Sequence, residues 1–284
     1  MKKNSTLYSA VKMAEALEAS RAGYHRFAKR TESKTKAKNR ELLEKIRLIH
    51  TGHKKTYGSP RVYAELKRQG ELCSRKRVAK IMRYNGIQAK SKRKWKATSY
   101  SKDLANVTPN LLNQNFKVGK ANQVWVLDIT YVSTAEGWLY VSTVLDLFSR
   151  KIVGLSMGKN IDTALIIRSL NQAVIHRSPR SGLILHSDRG VQYRSNQFKD
   201  LARKLGLIQS MSAKGNCYDN AVMESFFHTL KTEHIFFNKY QTRKEAIESI
   251  FEYVEVFYNR QRIHSTLDYM SPVEFENQGM SYAI

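Results

Sequence analysis

Two aspartates and a glutamate stand in this sequence at positions where a carboxylate costs most or is presented best. Asp128 interrupts QVWVLDITYV, a run apolar on both faces. A dry, unpaired carboxylate there would protonate, so its presence calls for a partner charge or a cation. Asp188 follows a short apolar run, 182–186, that reads as a buried strand stopped by the turn residues Asp188, Arg189 and Gly190. Glu224 belongs to a helix. At about 100° per residue, Asn220, Glu224, His228 and Lys231 share one stripe, while Val222, Met223, Phe226, Phe227 and Leu230 form an apolar face that packs inward. A strand-borne aspartate needs only that helix laid beside it to share a metal ion. All-oxygen ligands select hard cations, so Mg²⁺ is the expected cofactor and Mn²⁺ its substitute. Lys231 sits two turns beyond Glu224; the sequence offers no reason for a depressed pKa, so it reads as a phosphate contact. A further acid, Asp146 in VSTVLDLFSR, reads as a structural hydrogen-bonding or ion-pairing group.

The charge balance narrows the partner. The net charge is +25 and the pI near 10.0, which points to a polyanion, nucleic acid before membrane, because no amphipathic or spanning segment accompanies the charge. Residues 1–102 hold 29 Lys and Arg against 7 Asp and Glu; residues 103–284 hold 20 against 17. Binding charge and acidic chemistry are therefore segregated along the chain. The two cysteines, Cys73 and Cys217, lie far apart, which argues against a disulfide framework and for a reducing cytoplasm. The N-terminus lacks the apolar core of a signal peptide, and no run approaches a membrane span. His50, His53 and Cys73 fall one ligand short of a structural zinc site and read as solvated surface groups.

Four regions position these residues. Residues 1–38 are a basic arm with a possible small helix-turn-helix, ending in a polar linker over 31–39. Residues 39–102 read as a helix-turn-helix domain with a basic tail. Its helices are expected over 40–50, from a Ser59 cap with Pro60 at the first position to Gly70, and from Ser74 to Gly86. The last is loaded with Arg75, Lys76, Arg77, Lys80 and Arg83 and is the candidate for a DNA groove. The segment 90–102 adds six cations with Trp95 and Tyr100 interleaved, suited to tracking a phosphate backbone. A connector over 103–122 leads to residues 123–284. There, apolar runs over 123–133, 137–148 and 151–158 imply an antiparallel meander. A helix over 162–176, the Asp188 strand, a helix near 197–205, a strand near 207–211 and the Glu224 helix follow. This order predicts an α/β fold, a mixed five-stranded sheet flanked by helices. A long helix over 242–260 braces it, and Ser271, Pro272 and Glu274 form a capping box for a last helix. Arg260, Arg262 and His264 between them read as a DNA-facing or partner-facing surface.

At DITY around Asp128, HSDRGVQY around Asp188, NCYDNAVMESFF around Glu224 and YNRQRIHS near the end, the chain resembles the DDE transposases of bacterial insertion sequences. It is most similar to the second-frame product whose catalytic core is like retroviral integrase. Thirty-five residues separate Asp188 from Glu224, and Lys231 lies seven past it. The resemblance implies a ribonuclease H-like fold, and the triad Asp128, Asp188 and Glu224 as catalytic residues and metal ligands. Asp128 would bridge two ions, which serve the attacking and leaving oxygens of an in-line displacement. It further implies Lys231 and Asn220 on the bound DNA end, double-stranded element ends and target as substrates, a homo-oligomer on DNA, and a bacterial, nucleoid-associated location. An upstream helix-turn-helix product of the same element is a possible partner by frameshift fusion. Two alternatives stay open on the residues: a ribonuclease H-like nuclease, and a catalytically inactive DNA-binding regulator.

Overall fold

The structure, a computed structural model, describes residues 4–29, 32–90, 108–113, 115–213 and 220–281. The basic tail with Trp95 and Tyr100 lies outside them, as does Cys217. Two short helices open the chain, α1 (Ala10–Ala16) and α2 (Arg21–Ala28), each capped by a serine hydroxyl, Ser9 and Ser20. Next comes a three-helix unit of α3 (Lys34–Gly52), α4 (Ser59–Arg68) and α5 (Arg75–Tyr84). Here the linker expected over 31–39 is corrected. Ser33 caps Lys36 N, and α3 starts at Lys34, two turns before its apolar stripe, because alanine and lysine propagate a helix without help from a core. The expected Ser59 cap is also corrected: Gly58 holds that position with no side-chain bond and Ser59 is already helical. Ser74 caps α5 as expected.

The sheet has the order β3-β2-β1-β4-β5, from β1 (Val124–Thr134), β2 (Gly137–Asp146), β3 (Ile152–Gly158), β4 (Ile184–Ser187) and β5 (Ile208–Met211). The meander β1–β2–β3 is antiparallel, whereas β4 and β5 join β1 in parallel. This is the ribonuclease H-like arrangement. α6 (Thr163–Arg177), capped by Asp162, makes the crossover. It packs so closely on β3 that a Cβ on Gly154 would overlap the Ser169 carbonyl. After β4 come α7 (Val191–Arg194) and α8 (Asn196–Lys204). β1 is buried on both faces with period two: Trp125 and Leu127 join the α6 and α8 side, while Val124 and Val126 join the other. α9 (Ala221–Glu233) and α10 (Arg243–Glu252) cover that second side.

The long helix expected over 242–260 is interrupted. After α10 the chain widens into a π-helix, Tyr253–Tyr258, in which Asn259 N bonds Val254 O at 2.9 Å. Asn259 then pairs its amide with both backbone groups of Ile152, at 2.9 and 3.0 Å, so the helix is drawn onto the edge strand β3. α11 (Pro272–Ser281) carries the expected capping box, with Ser271 N on Glu274 Oε2 at 2.7 Å and Glu274 N on Ser271 Oγ. The α3–α5 unit is not separate from this assembly. Leu42, Ile46, Val62 and Val78 share one core with Phe226, Tyr253 and Phe257. The fully buried Tyr57 hydroxyl donates to Gln261 O and accepts from Ile263 N. Lys54 pairs with Glu252 and Arg68 with Glu274 at this seam.

Candidate active site

Strand register brings the two aspartates together. The parallel ladder between β1 and β4 ends at Leu127 opposite Ser187, so the next residues, Asp128 and Asp188, stand side by side where β4 stops and β1 continues. Parity puts Asp128 on the same face as Val124 and Val126, the face covered by α9. The apolar residues expected to pin that helix, Met223, Phe226, Phe227 and Leu230, are all buried against the sheet. Glu224 and Lys231 are thereby offered to the aspartates from above.

The electrostatics register the convergence. Asp128 is half-buried, and its carboxyl is pushed up to about 8 by burial, then by the charges of Asp188 and Glu224, with the Ile129 N–H and Lys231 acting against this. Asp188 and Glu224 stand on the exposed rim, and partial burial nudges both upward. Asp188 is oriented by the Gly190 N–H, 2.9 Å from its Oδ1. A Cβ on Gly190 would meet that same oxygen at 2.9 Å, so the glycine of the SDRG turn is required by close approach. Behind the turn, Arg189 Nε reaches Ser212 O, and His186 bridges Ser210 and Ser212.

The donor set has the oxygen-only chemistry that a hard divalent cation takes. Burial together with the charges of Asp188 and Glu224 leaves Asp128 unable to ionise freely, which a bound cation reverses. Among the described residues no group of three or more acid, histidine or cysteine side chains lies close enough together to hold a metal ion, so the three carboxylates approach one another without closing on an ion position. An open, all-oxygen set is what Mg²⁺ uses, since it keeps water and substrate phosphate among its ligands.

Lys231 faces the site with its ammonium 4.9 Å from the Tyr131 ring centroid. Its expected ordinary pKa is corrected: burial lowers it, and the Asp128 charge only partly restores it. Asn220 is buried at the start of α9, and its Oδ1 has no hydrogen-bond partner among the described residues. Tyr193 on α7 was not singled out by sequence. Its ring is buried against Phe198, its hydroxyl is unpartnered among the described residues, and burial and both aspartates push its pKa well up. The signal was the tyrosine closing HSDRGVQY, five residues beyond Asp188.

Of the other expected contacts, Arg75, Lys76, Lys80 and Arg83 are exposed on α5, while Arg77 turns back to Asn39 at 2.8 Å. Arg260 is exposed. Arg262 is a correction: its side chain is 4% exposed and grips Glu233 through Nε and Nη2, both at 2.7 Å, so it faces the seam and not open solvent. His264 joins it there. The histidines taken as solvated are structural. His50 is buried and meets Gln88 O, and His53 meets Ile49 O and stacks on Tyr57. Asp146 is fully buried and accepts from Asn122, Phe148 and Trp125, with Arg177 alongside, as expected of a structural acid. A cavity of about 930 Å³ between 111–124 and 178–184 contains none of the three acids. No helix of the described residues is long and apolar enough to cross a membrane.

Comparison with known proteins matches residues 119–217 and 224–280 to integrase core domain models, and 37–95 to an HTH-like domain. A 31 kDa protein of insertion element IS600 from Shigella sonnei is 41% identical over 94% of this chain and 98% of its own. The transposase for insertion sequence element IS904 of Lactococcus lactis is 44% identical over 87% of this chain and 98% of its own. Transposase InsF for insertion sequence IS3A of Escherichia coli is 38% identical over 99% and 98%. Among solved structures, a simian T-cell lymphotropic virus intasome aligns at TM-score 0.48 and 15% identity, over 82% of this chain and 74% of that one, too distant to carry function.

Proposed function

Because the chain belongs to the transposases of bacterial insertion sequences, with an integrase core and an HTH-like domain, we propose that it acts at the ends of its own element. In this reading it cleaves DNA there and joins the freed 3′-ends to target DNA by direct transesterification. Asp128, Asp188 and Glu224 are the catalytic carboxylates and the ligands of two Mg²⁺ ions, with Mn²⁺ able to substitute. When bound, the ions supply charge neutralisation on the attacking and leaving oxygens. The protein contributes position. Asp128 and Asp188 are fixed by the register of β1 and β4, and Glu224 by the buried face of α9. Lys231 supplies a cation beside Asp128 for a phosphate of the bound end. The exposed cations Arg75, Lys76, Lys80 and Arg83 of α5 hold the DNA.

The observation that carries this reading is the setting of Asp128, a carboxyl at the end of the β1–β4 ladder under α9, whose pKa is driven up first by burial and then by Asp188 and Glu224. The HTH-like unit favours a transposase over a plain nuclease, which needs no such module. Purified protein incubated with labelled DNA carrying the element's ends should give strand-joined product with Mg²⁺ and none without. Nicking without joining would favour the nuclease, and neither activity would favour a regulator.

A further inference from the structure

One position round α9 from Glu224, Ser225 and Thr229 look into a cavity of about 270 Å³ that the chemistry above does not use. Three arginines from three parts of the chain line it: Arg61 of α4, Arg150 of the β2–β3 turn and Arg262 after the π-helix, with His264 beside them. Gathering three guanidiniums in a partly desolvated space is unfavourable unless anions balance them. Glu233 balances one, gripping Arg262 and standing 3.5 Å from Arg61. His264 adds no charge. Burial and the three arginines hold its pKa well below the ordinary value, and its Nε2, 3.3 Å from Arg262 Nη1, must accept because a guanidinium only donates.

Arg150 is the odd member. Its backbone sits at φ +62, the left-handed region that a residue with a side chain rarely adopts. Its Nη1 is buried with no hydrogen-bond partner among the described residues, while Nη2 reaches only Phe116 O at 3.4 Å. Asp146 attracts it from a distance, but the oxygens of that acid already accept from Asn122, Phe148 and Trp125. The left-handed turn thus sets the Arg150 guanidinium in the cavity wall, with no ion-pair partner among the described residues.

We propose that this cavity binds a phosphate oxyanion, and that in the working complex the anion is a backbone phosphodiester of the DNA strand passing Glu224. Arginine forks match phosphate oxygens two at a time, and the Ser225 and Thr229 hydroxyls add neutral donors. Ser225 is exposed and adjacent in sequence to Glu224, so a strand at the acids passes the cavity mouth. Arg61 comes from the HTH-like unit, whereas Arg150 and Arg262 come from the core. A phosphate held between Arg61 and Arg150, with Arg262 adding only its charge because its fork is taken by Glu233, therefore clamps the DNA-binding unit onto the core beside the helix that carries Glu224. The DNA assignment rests on the proposed function; the anion site does not.

Arg150→Gly tests it, because glycine accepts a φ of +62 and the turn survives the loss of the guanidinium. Arg150→Lys keeps the charge without the fork. Inorganic phosphate, titrated against the full-length protein at constant ionic strength without DNA, should raise the melting temperature saturably. The shift should vanish in Arg150→Gly and shrink in Arg150→Lys, with circular dichroism unchanged. In a salt titration of duplex binding, Arg150→Gly should lower the log–log slope by about one. An absent phosphate shift in the parent protein, or an equal one in Arg150→Gly, overturns the site. A phosphate shift with an unaltered DNA slope overturns the phosphodiester assignment in favour of free phosphate. The phosphate titration needs neither DNA nor catalysis, so a parent protein unable to cleave and join element ends would sink the transposition reading alone.

Discussion

On α5, Arg75, Lys76, Lys80 and Arg83 stand exposed, with little in the fold to hold them, whereas at the sheet Asp128 is held by strand register among charges of its own sign. The first set meets its polyanion through many small, solvent-screened contacts, so each side chain contributes little and precise placement is unnecessary. In the proposed reading the second must meet an ion at fixed distance, so placement is everything and the fold bears the repulsion until the ion arrives. Binding charge can lie on a surface; catalytic charge has to be built into a core. Between the two regions lies a seam with properties of its own, in which Arg262 and Glu233 are both nearly buried.

The seam offers the first test. Arg262→Met takes from Glu233 its two-bond partner and leaves only Arg61 at 3.5 Å and the Tyr253 hydroxyl, a loss below the roughly 3–5 kcal/mol of a fully stranded charge, which calorimetry should read as a lower transition that splits if the two regions come apart. Adding Glu233→Leu should recover part of it, since an apolar pair replaces the buried ion pair but also takes the acceptor from Arg61 and the Tyr253 hydroxyl. A single, unshifted transition in Arg262→Met would show that the regions do not depend on this contact.

Within the core, Glu224→Asp keeps the charge but withdraws the carboxylate by roughly one carbon–carbon bond, about 1.5 Å. The helix cannot slide to compensate, because Met223, Phe226 and Leu230 are buried. Strand joining in Mg²⁺ should fall by about 10²-fold or more, with DNA binding retained and Mn²⁺ restoring a little. Joining at the parent rate would remove Glu224 from the ligand set and blur the contrast with α5.

A stability measurement sharpens the contrast from the other side. The folded pKa of Asp128, about 8, lies above the roughly 3.9 of an unfolded aspartate, so the folded state binds the proton more tightly. Stability of the metal-free protein is then lost as pH rises between those values. Asp128→Asn should abolish that slope and raise stability at pH 8 by up to about 5 kcal/mol, the roughly four-unit difference at about 1.4 kcal/mol per unit, while Mg²⁺ stabilises only the parent. An Asn variant less stable than its parent at pH 8 would mean the aspartate is not crowded.

The smallest effect belongs to α5. Lys80→Ala should weaken duplex binding uniformly across sequences and lower the salt slope by about one, leaving the melt unchanged. A loss confined to one sequence would instead mark Lys80 as a base contact, and the exposed region as more exacting than its setting suggests.

How far the sequence reached follows from what kind of interaction decided each feature. The five strands, the helix carrying Glu224, the Ser74 cap and the Ser271–Glu274 box were legible because periodicity and capping are encoded within a few residues. The order of acids along the chain also singled out Asp128, Asp188 and Glu224 before any geometry was known. Only the tertiary structure decided that Arg262 turns inward to Glu233, and that burial beside Asp128 and Tyr131 depresses Lys231. It also decided that the helix after α10 widens to let Asn259 reach Ile152, and that Arg150 Nη1 and the Tyr193 hydroxyl end buried without hydrogen-bond partners among the described residues. Each of these joins residues tens to hundreds of positions apart, and desolvation depends on every neighbour the fold brings in, whereas a sequence pattern reports only the face a residue shares with those beside it.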